Sequence, residues 1–290
     1  MDGVILDEGR IRVLICHDLP GDPMYDHLKH DGWRKFHLLV FVSNQQMQGF
    51  INHYNLPWSR CLVLRNAIVP IDTNNRNRPS NKIRLIYTPT PHRGLTILEP
   101  VFAKLCEDYP EQLELHVYSS FALYGQSQRD SQYSNLFDAL QRNKAVRYFG
   151  SVSNDDVRLA LRDSHIFAYP SIWQETSCLC LIEAMSAGLR CVHPNYGALA
   201  ETSLYLTYQY QWQEDINSHA AMFYNILRIA IEDQLNGNEG FLDTQKKLSD
   251  LHYNWNSRIE QWNNVLSNLV STVKDRSLPK KSAHTFIYQT

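Results

Sequence analysis

The stretch YPSIWQETSCLCLIEAMSAG, Tyr169–Gly188, decides how this chain is read. Ile166–Tyr169 just before it is apolar throughout and ended by Pro170, which predicts a short strand buried on both faces. From Ser177 the period changes. Cys178, Leu181, Ile182 and Met185 recur at the spacing of one helix face. Ser177 is a natural N-cap, and Gly188 stands where a C′ glycine belongs. The order is strand, loop, Glu175, helix start, Glu183, helix, glycine stop. A helix N-terminus offers unpaired N–H groups and a partial positive charge, so it attracts phosphate. Glu175 is expected on the loop outside that terminus. Glu183 is expected about two turns further in, on the side away from the apolar stripe. Carboxylates accept hydrogen bonds from sugar hydroxyls. In open parallel sheets, ligands bind at the carboxyl ends of strands, where this segment starts. Two glutamates at this spacing are also common on solvated helices, so spacing alone does not assign a role.

Further stretches recur in a consistent order. IYTPTPHRGL (residues 86–95) places a basic residue, Arg93, before Gly94 at the end of a strand. VRYFGSVS (146–153) is a strand with a turn at Gly150 and Val152. NYGALAE (195–201) is a glycine turn leading into a helix. LVLRNAI (62–68) is a strand followed by an Asn turn, and FVSNQQ (41–46) ends another strand. Together with the spacing of Glu175 and Glu183, these segments resemble the E-x7-E retaining enzymes of the "glycosyl transferases group 1" family. Those enzymes have the GT-B fold of two Rossmann-like domains. The resemblance covers about residues 11 to 270.

The resemblance implies a nucleotide-diphosphate sugar as donor and retention of anomeric configuration. Arg93 would bind the donor diphosphate, helped by Gly94 and the N–H groups near Ser177, Cys178 and Leu179. Glu175 would orient the sugar hydroxyls and Glu183 would bind the ribose. Gly150 and Val152 would wrap the base. His17, closing the strand Ile11–Cys16, matches a histidine that faces the transferred sugar; a strand-end histidine is otherwise an ordinary hydrogen-bonded surface group. His92 could touch phosphate, although a plain loop histidine is the simpler reading. Trp173 could pack on the base or fill space, and Tyr124-Gly125 could line the pocket or form a turn. The chain also departs from the family. Thr88 stands where a basic residue is usual, and Ser177-Cys178 replaces a phenylalanine–glycine pair.

Composition sets the outer bounds. The chain has 290 residues, 43% hydrophobic and 20% charged, which is ordinary globular material. Net charge is −2, so no broad cationic surface for nucleic acid is expected. Lys246-Lys247 and Lys280-Lys281 read as solvated pairs. No apolar run approaches the roughly 20 residues of a membrane span. Six cysteines give no disulfide or zinc pattern, which fits a reducing cytoplasmic setting, with peripheral attachment to a membrane left open. Asp-x-Asp, G-x-G-x-x-G, the P-loop and H-E-x-x-H are all missing, so metal is not expected and dehydrogenase, NTPase and metalloprotease readings weaken.

Strand-like runs at Ile11–Cys16, Leu38–Val42, Cys61–Leu64, Ile83–Tyr87, Leu113–Val117, Ala145–Phe149, Ile166–Tyr169 and Cys191–His193 alternate with helical patterns. Such alternation predicts parallel α/β sheets. The polar segment 71–81 is the clearest linker. The expected domains are a partial N-terminal Rossmann-like domain at 1–75, a nucleotide-sugar-binding Rossmann-like domain at 76–255, a helix at 256–273 crossing back, and a loose tail at 274–290. With about three strands, the first domain reads as incomplete, lacking part of the acceptor side. The leading function is a retaining glycosyltransferase, impaired to the extent that the missing N-terminal segment is needed, whose acceptor is a glycan, lipid or small molecule. The alternative is a non-catalytic nucleotide-sugar-binding module, or one that depends on a partner for the missing part. Another GT-B enzyme, such as an epimerase or a phosphorylase, ranks third.

Overall fold

A computed structural model describes residues 6–278. The chain opens with β1 (Val13–Cys16), β2 (Leu38–Phe41), α1 (Asn44–Tyr54) and β3 (Cys61–Val63). Next come β4 (Ile83–Tyr87), α2 (Leu95–Asp108), β5 (Leu113–Val117), α3 (Ser134–Arg142), β6 (Val146–Tyr148) and α4 (Asn154–Arg162). They are followed by β7 (Ile166–Ala168), α5 (Leu179–Ser186), β8 (Arg190–Pro194), α6 (Leu199–Thr202), β9 (Tyr208–Tyr210), α7 (Ile216–Leu235), α8 (Leu242–His252) and α9 (Trp255–Thr272). Two compact units result. One joins the chain up to Asn66 with Trp255 onward, and the other is Ala67–Asn254. The segment 67–75, assigned to the first domain from sequence, is part of the second unit. Lys280 and Lys281 lie outside the described residues.

The first unit is a parallel three-stranded sheet in the order β1-β2-β3. The apolar run of β2 is buried along its whole length. Ser43 starts α1 by accepting the Gln46 N–H, and Asn55 ends it in the left-handed region at φ 52°. One sheet face packs on Phe50, whose ring meets Tyr25 at 4.9 Å and Phe41 at 5.1 Å. The other face is covered by α9, whose Trp262, Val265 and Leu269 lie on one helical side against Leu38, Val40 and Leu64. Buried Arg12 seats the segment after α9 by donating to the Lys35, Arg276 and Ser277 carbonyls.

The second unit is a parallel six-stranded sheet in the order β6-β5-β4-β7-β8-β9. After β4 the chain builds outward through β5 and β6. From β7 it builds outward in the opposite direction. The reversal between β4 and β7 is a topological switch point, the place where open parallel sheets bind their ligands. α5 follows β7 and buries Leu181, Ile182, Ala184 and Met185. Its far end is locked. Gly188 takes φ 66° after it, and Arg76 and Lys246 donate to the Ala187 and Ser186 carbonyls at 2.7 and 2.6 Å. Cations at these carbonyls also suit the negative end of the helix dipole.

Trp262→Ala should destabilise the first unit, by less than the roughly 3–5 kcal/mol of a fully buried Trp→Ala because Trp262 is half-buried. Hydrogen exchange of β2 would show this as lost protection; unchanged exchange would contradict the packing. Acid should weaken the second unit. Burial pushes His116, His165 and His193 down to a pKa of about 4. Unfolded histidine titrates near 6.5. The folded state therefore refuses protons that the unfolded chain accepts, so their stabilisation is present above about pH 6.5 and lost as pH falls toward 4. Melting curves of the full chain between pH 7 and 4.5 should show the midpoint dropping steadily. A flat profile would contradict it.

Candidate functional site

Adjacent strand ends at the switch point supply the framework. Tyr87 ends β4 and Tyr169 follows β7; both side chains are fully buried, with ring centroids 6.1 Å apart. Burial pushes both phenols up, so they serve as donors. Tyr87 donates to the Thr90 carbonyl at 3.0 Å and pins the loop carrying Arg93. Tyr169 donates to Glu175 Oε1 at 2.5 Å. Arg93 Nη1 donates to the same oxygen, also at 2.5 Å. The two residues most strongly implicated by sequence, 82 positions apart, thus form one ion pair at the switch point.

That pair is largely withdrawn from water. The Glu175 side chain is 4% exposed and that of Arg93 26%. Burial works against the guanidinium charge, but neighbouring Glu175 overrides it and pushes the Arg93 pKa up. Arg93 Nε is buried with no hydrogen-bond partner. An unpartnered buried N–H can donate to an acceptor such as a phosphate oxygen. Trp173 lies against the guanidinium at 5.6 Å.

Two glycines let the loops meet. Gly94 has φ 130°, and a Cβ there would lie 2.1 Å from the Pro170 carbonyl oxygen. Gly197 has φ 58°, and its Cβ would lie 2.5 Å from the Glu175 carbonyl oxygen. The Ala198 N–H donates to that same oxygen at 2.7 Å. The loops after β4, β7 and β8 are therefore in backbone contact around Glu175.

α5 begins at Leu179 with Cys178 at the N-cap, and no side chain caps it. The expected Ser177 cap is corrected here. Cys178 is already turned into the core and fixes where helical geometry starts. Glu183 accordingly lies one turn inside the helix, not two. It is mostly buried and bonded to Arg158 Nη1 at 2.9 Å, while Arg158 Nη2 donates to the Val69 carbonyl at 2.7 Å. Burial raises the Glu183 pKa, with Arg158 pulling the other way. Ser177 is half-buried and Leu179 exposed at the helix start. A hydrogen bond with Cys180, burial and the Glu175 charge hold the Cys178 thiol protonated.

The remaining residues fall at the same sheet edge or elsewhere. Thr88 follows β4 directly, with its Oγ1 buried beside Cys180. Gly150 takes φ 66° after β6, followed by half-buried Val152. His92 is stacked on Phe121 at 5.2 Å and edge-on to Trp173 at 4.9 Å. His17 is in the first unit, after β1, where its backbone N–H donates to Tyr25 Oη at 3.1 Å. Sequence reasoning missed Tyr169 as a partner of Glu175 and Arg158 as a partner of Glu183. Nothing in local spacing marks either contact. Among the described residues, no cluster of three or more His, Cys, Asp or Glu is arranged to hold a metal ion, and no helix is long and apolar enough to cross a membrane.

Residues 74–203 match the model of the family described as glycosyl transferases group 1. This stretch, from the segment before β4 through α6, is what the chain shares with that family. A curated human relative, one of the subunits of phosphatidylinositol N-acetylglucosaminyltransferase, is 28% identical over 146 residues. That alignment covers 48% of this chain and 28% of the relative's length. Among solved structures, a glycosyltransferase from Rickettsia africae superposes with TM-score 0.71 at 12% identity, covering 90% of this chain and 71% of that one. Anabaena HepE in complex with UDP-glucose superposes with TM-score 0.69 at 18% identity, covering 90% and 73%. These likenesses are of fold: α/β, GT-B-like, with parallel sheets.

Gly197→Ala should cost at least about 1 kcal/mol from its positive φ, with a further cost from the clash at Glu175. Circular dichroism melting would show the loss. A midpoint equal to that of the parent would mean the loops do not meet as described.

Proposed function

We propose that this protein is a retaining glycosyltransferase that moves a sugar from a nucleoside-diphosphate sugar to an acceptor hydroxyl. The observation that carries this reading is the buried Arg93–Glu175 pair at the switch point, with the unpartnered Arg93 Nε beside it. In the transfer the anomeric C–O bond breaks and its electron pair leaves with the diphosphate. Negative charge grows on the leaving group while the sugar gains oxocarbenium character. Arg93 and the first-turn amides of α5 answer the leaving group. Glu175 answers the sugar. Tyr169 and Arg93 hold its carboxylate in one orientation, and the remaining lone pairs are available to sugar hydroxyls. Glu183 takes the ribose, a positioning role, by exchanging part of its bond to Arg158 for a ribose hydroxyl. Ser177, Cys178, Leu179, Thr88 and Gly94 line the phosphates, and Gly150 and Val152 the base. His17 enters through the family resemblance alone.

UDP-sugars are the first donors to test. The Anabaena neighbour is solved with UDP-glucose, and the human relative is named for N-acetylglucosaminyl transfer. The acceptor is a glycan, lipid or small molecule. Transfer is expected to need no divalent cation, because the protein's own cationic side chains and the helix amides meet the leaving-group charge. Six free cysteines suit a reducing cytoplasmic setting.

Transfer from a panel of UDP-, GDP- and ADP-sugars, with and without EDTA, is the direct assay. Turnover that survives EDTA is expected. Tight donor binding with no turnover would favour a binding module instead. Arg93→Ala should lower kcat more than it weakens donor binding, because the charge it meets grows in the transition state. Equal losses would count against the assignment. Glu183→Gln should weaken nucleotide binding yet leave the melting point unchanged or higher, since burial disfavours the ionised form and Gln still accepts from Arg158. Unaltered nucleotide affinity would remove the ribose role.

A further inference from the structure

Charge at the proposed donor site does not balance. Arg93 is neutralised by Glu175 and Arg158 by Glu183. His92 is uncharged at neutral pH, held down to a pKa of about 4 by burial and by Arg93 and Arg129. Thr88, directly after β4, carries no charge. A nucleoside diphosphate leaving group still brings at least two negative charges. One more cation is therefore required among the loops at this edge.

Arg129 meets the requirement. It lies on the loop after β5, with its guanidinium carbon 4.0 Å from the centre of the Phe121 ring. His92 stacks on the same ring, so Phe121 joins Arg129 to the loop that carries Arg93. The loop is braced from within. The Asp130 carboxylate accepts from the Ser120 hydroxyl at 2.5 Å and from the Phe121 N–H at 2.8 Å. Both Asp130 oxygens are thereby engaged away from Arg129. Arg129 Nη1 donates to Gln126 Oε1 at 2.9 Å, and no acid pairs with it among the described residues. His92 Nδ1, on the ring stacked against Phe121, is buried and without a partner. An exposed guanidinium on an aromatic shelf keeps a planar face of donors for an anion.

We propose that Arg129 is a further donor-binding residue, its guanidinium on Phe121 taking a phosphate oxygen of the nucleoside diphosphate. The inference rests on the function proposed above and names the second cation of the same site. It is tested on the full chain by calorimetric titration with inorganic pyrophosphate, UDP and uridine at low and high salt. Arg129→Gln should lose about tenfold in affinity for pyrophosphate and for UDP, about 1.4 kcal/mol, with little change for uridine. Its affinity should also depend less on salt, because one charge contact is gone. Arg129→Lys should recover much of the loss. Equal affinity and equal salt dependence for Arg129→Gln and the parent would overturn the Arg129 assignment alone. A lowered melting point with an unchanged salt dependence would reduce Arg129 to a loop brace and overturn it too. Failure of the parent chain to bind either pyrophosphate or UDP would instead overturn the donor-site reading, and this inference with it.

Discussion

The second unit depends on one contact, the ion pair between Arg93 and Glu175 across adjacent strand ends. Burying two charges is costly, and such a pair is retained only where its geometry is good and its other hydrogen-bonding groups are engaged. Here one carboxylate oxygen takes both Arg93 and Tyr169. The arrangement sets a guanidinium and a carboxylate side by side at the switch point, each holding the other in place. A group that is already oriented need not reorganise when charge develops in front of it, which is the main way such sites accelerate a reaction.

Backbone proximity makes the contact possible. Gly94 and Gly197 have conformations that only glycine adopts easily, and each lets another loop approach where a Cβ would clash. Below the site, the end of α5 is tied by Arg76, Lys246 and Ser186, whose hydroxyl accepts the Ile71 N–H at 2.8 Å. The helix that presents its amides at one end is thus fixed at the other. A tight scaffold at the base and polar groups at the rim is the division expected of a binding site on a parallel sheet.

Much of this is legible in the chain. The eight strands read from apolar runs all appear, and β2 and β7, buried along their whole length, leave the uninterrupted signal of parallel strands. β9 is not legible: Tyr208–Tyr210 is a short edge strand with a polar centre. The sequence pattern misplaces the start of α5 because a capping preference is worth only about 1 kcal/mol and gives way to core burial of Cys178. Arg93 and Glu175 each stand out in the chain, but their pairing does not, since it joins residues far apart in sequence. The grip of Arg158 on Glu183 and the placement of Arg129 on Phe121 are tertiary for the same reason. Sequence shows which side chains carry charge; only the fold shows which charges are already spent.

The loops that carry Arg93 and Glu175 are proposed to receive the diphosphate of an activated sugar. A crystal structure of the chain with UDP tests it most directly. A phosphate oxygen is expected within hydrogen-bonding distance of Arg93 Nε and of the amides at the start of α5. UDP bound with its phosphates remote from the loops after β4 and β7 would contradict it.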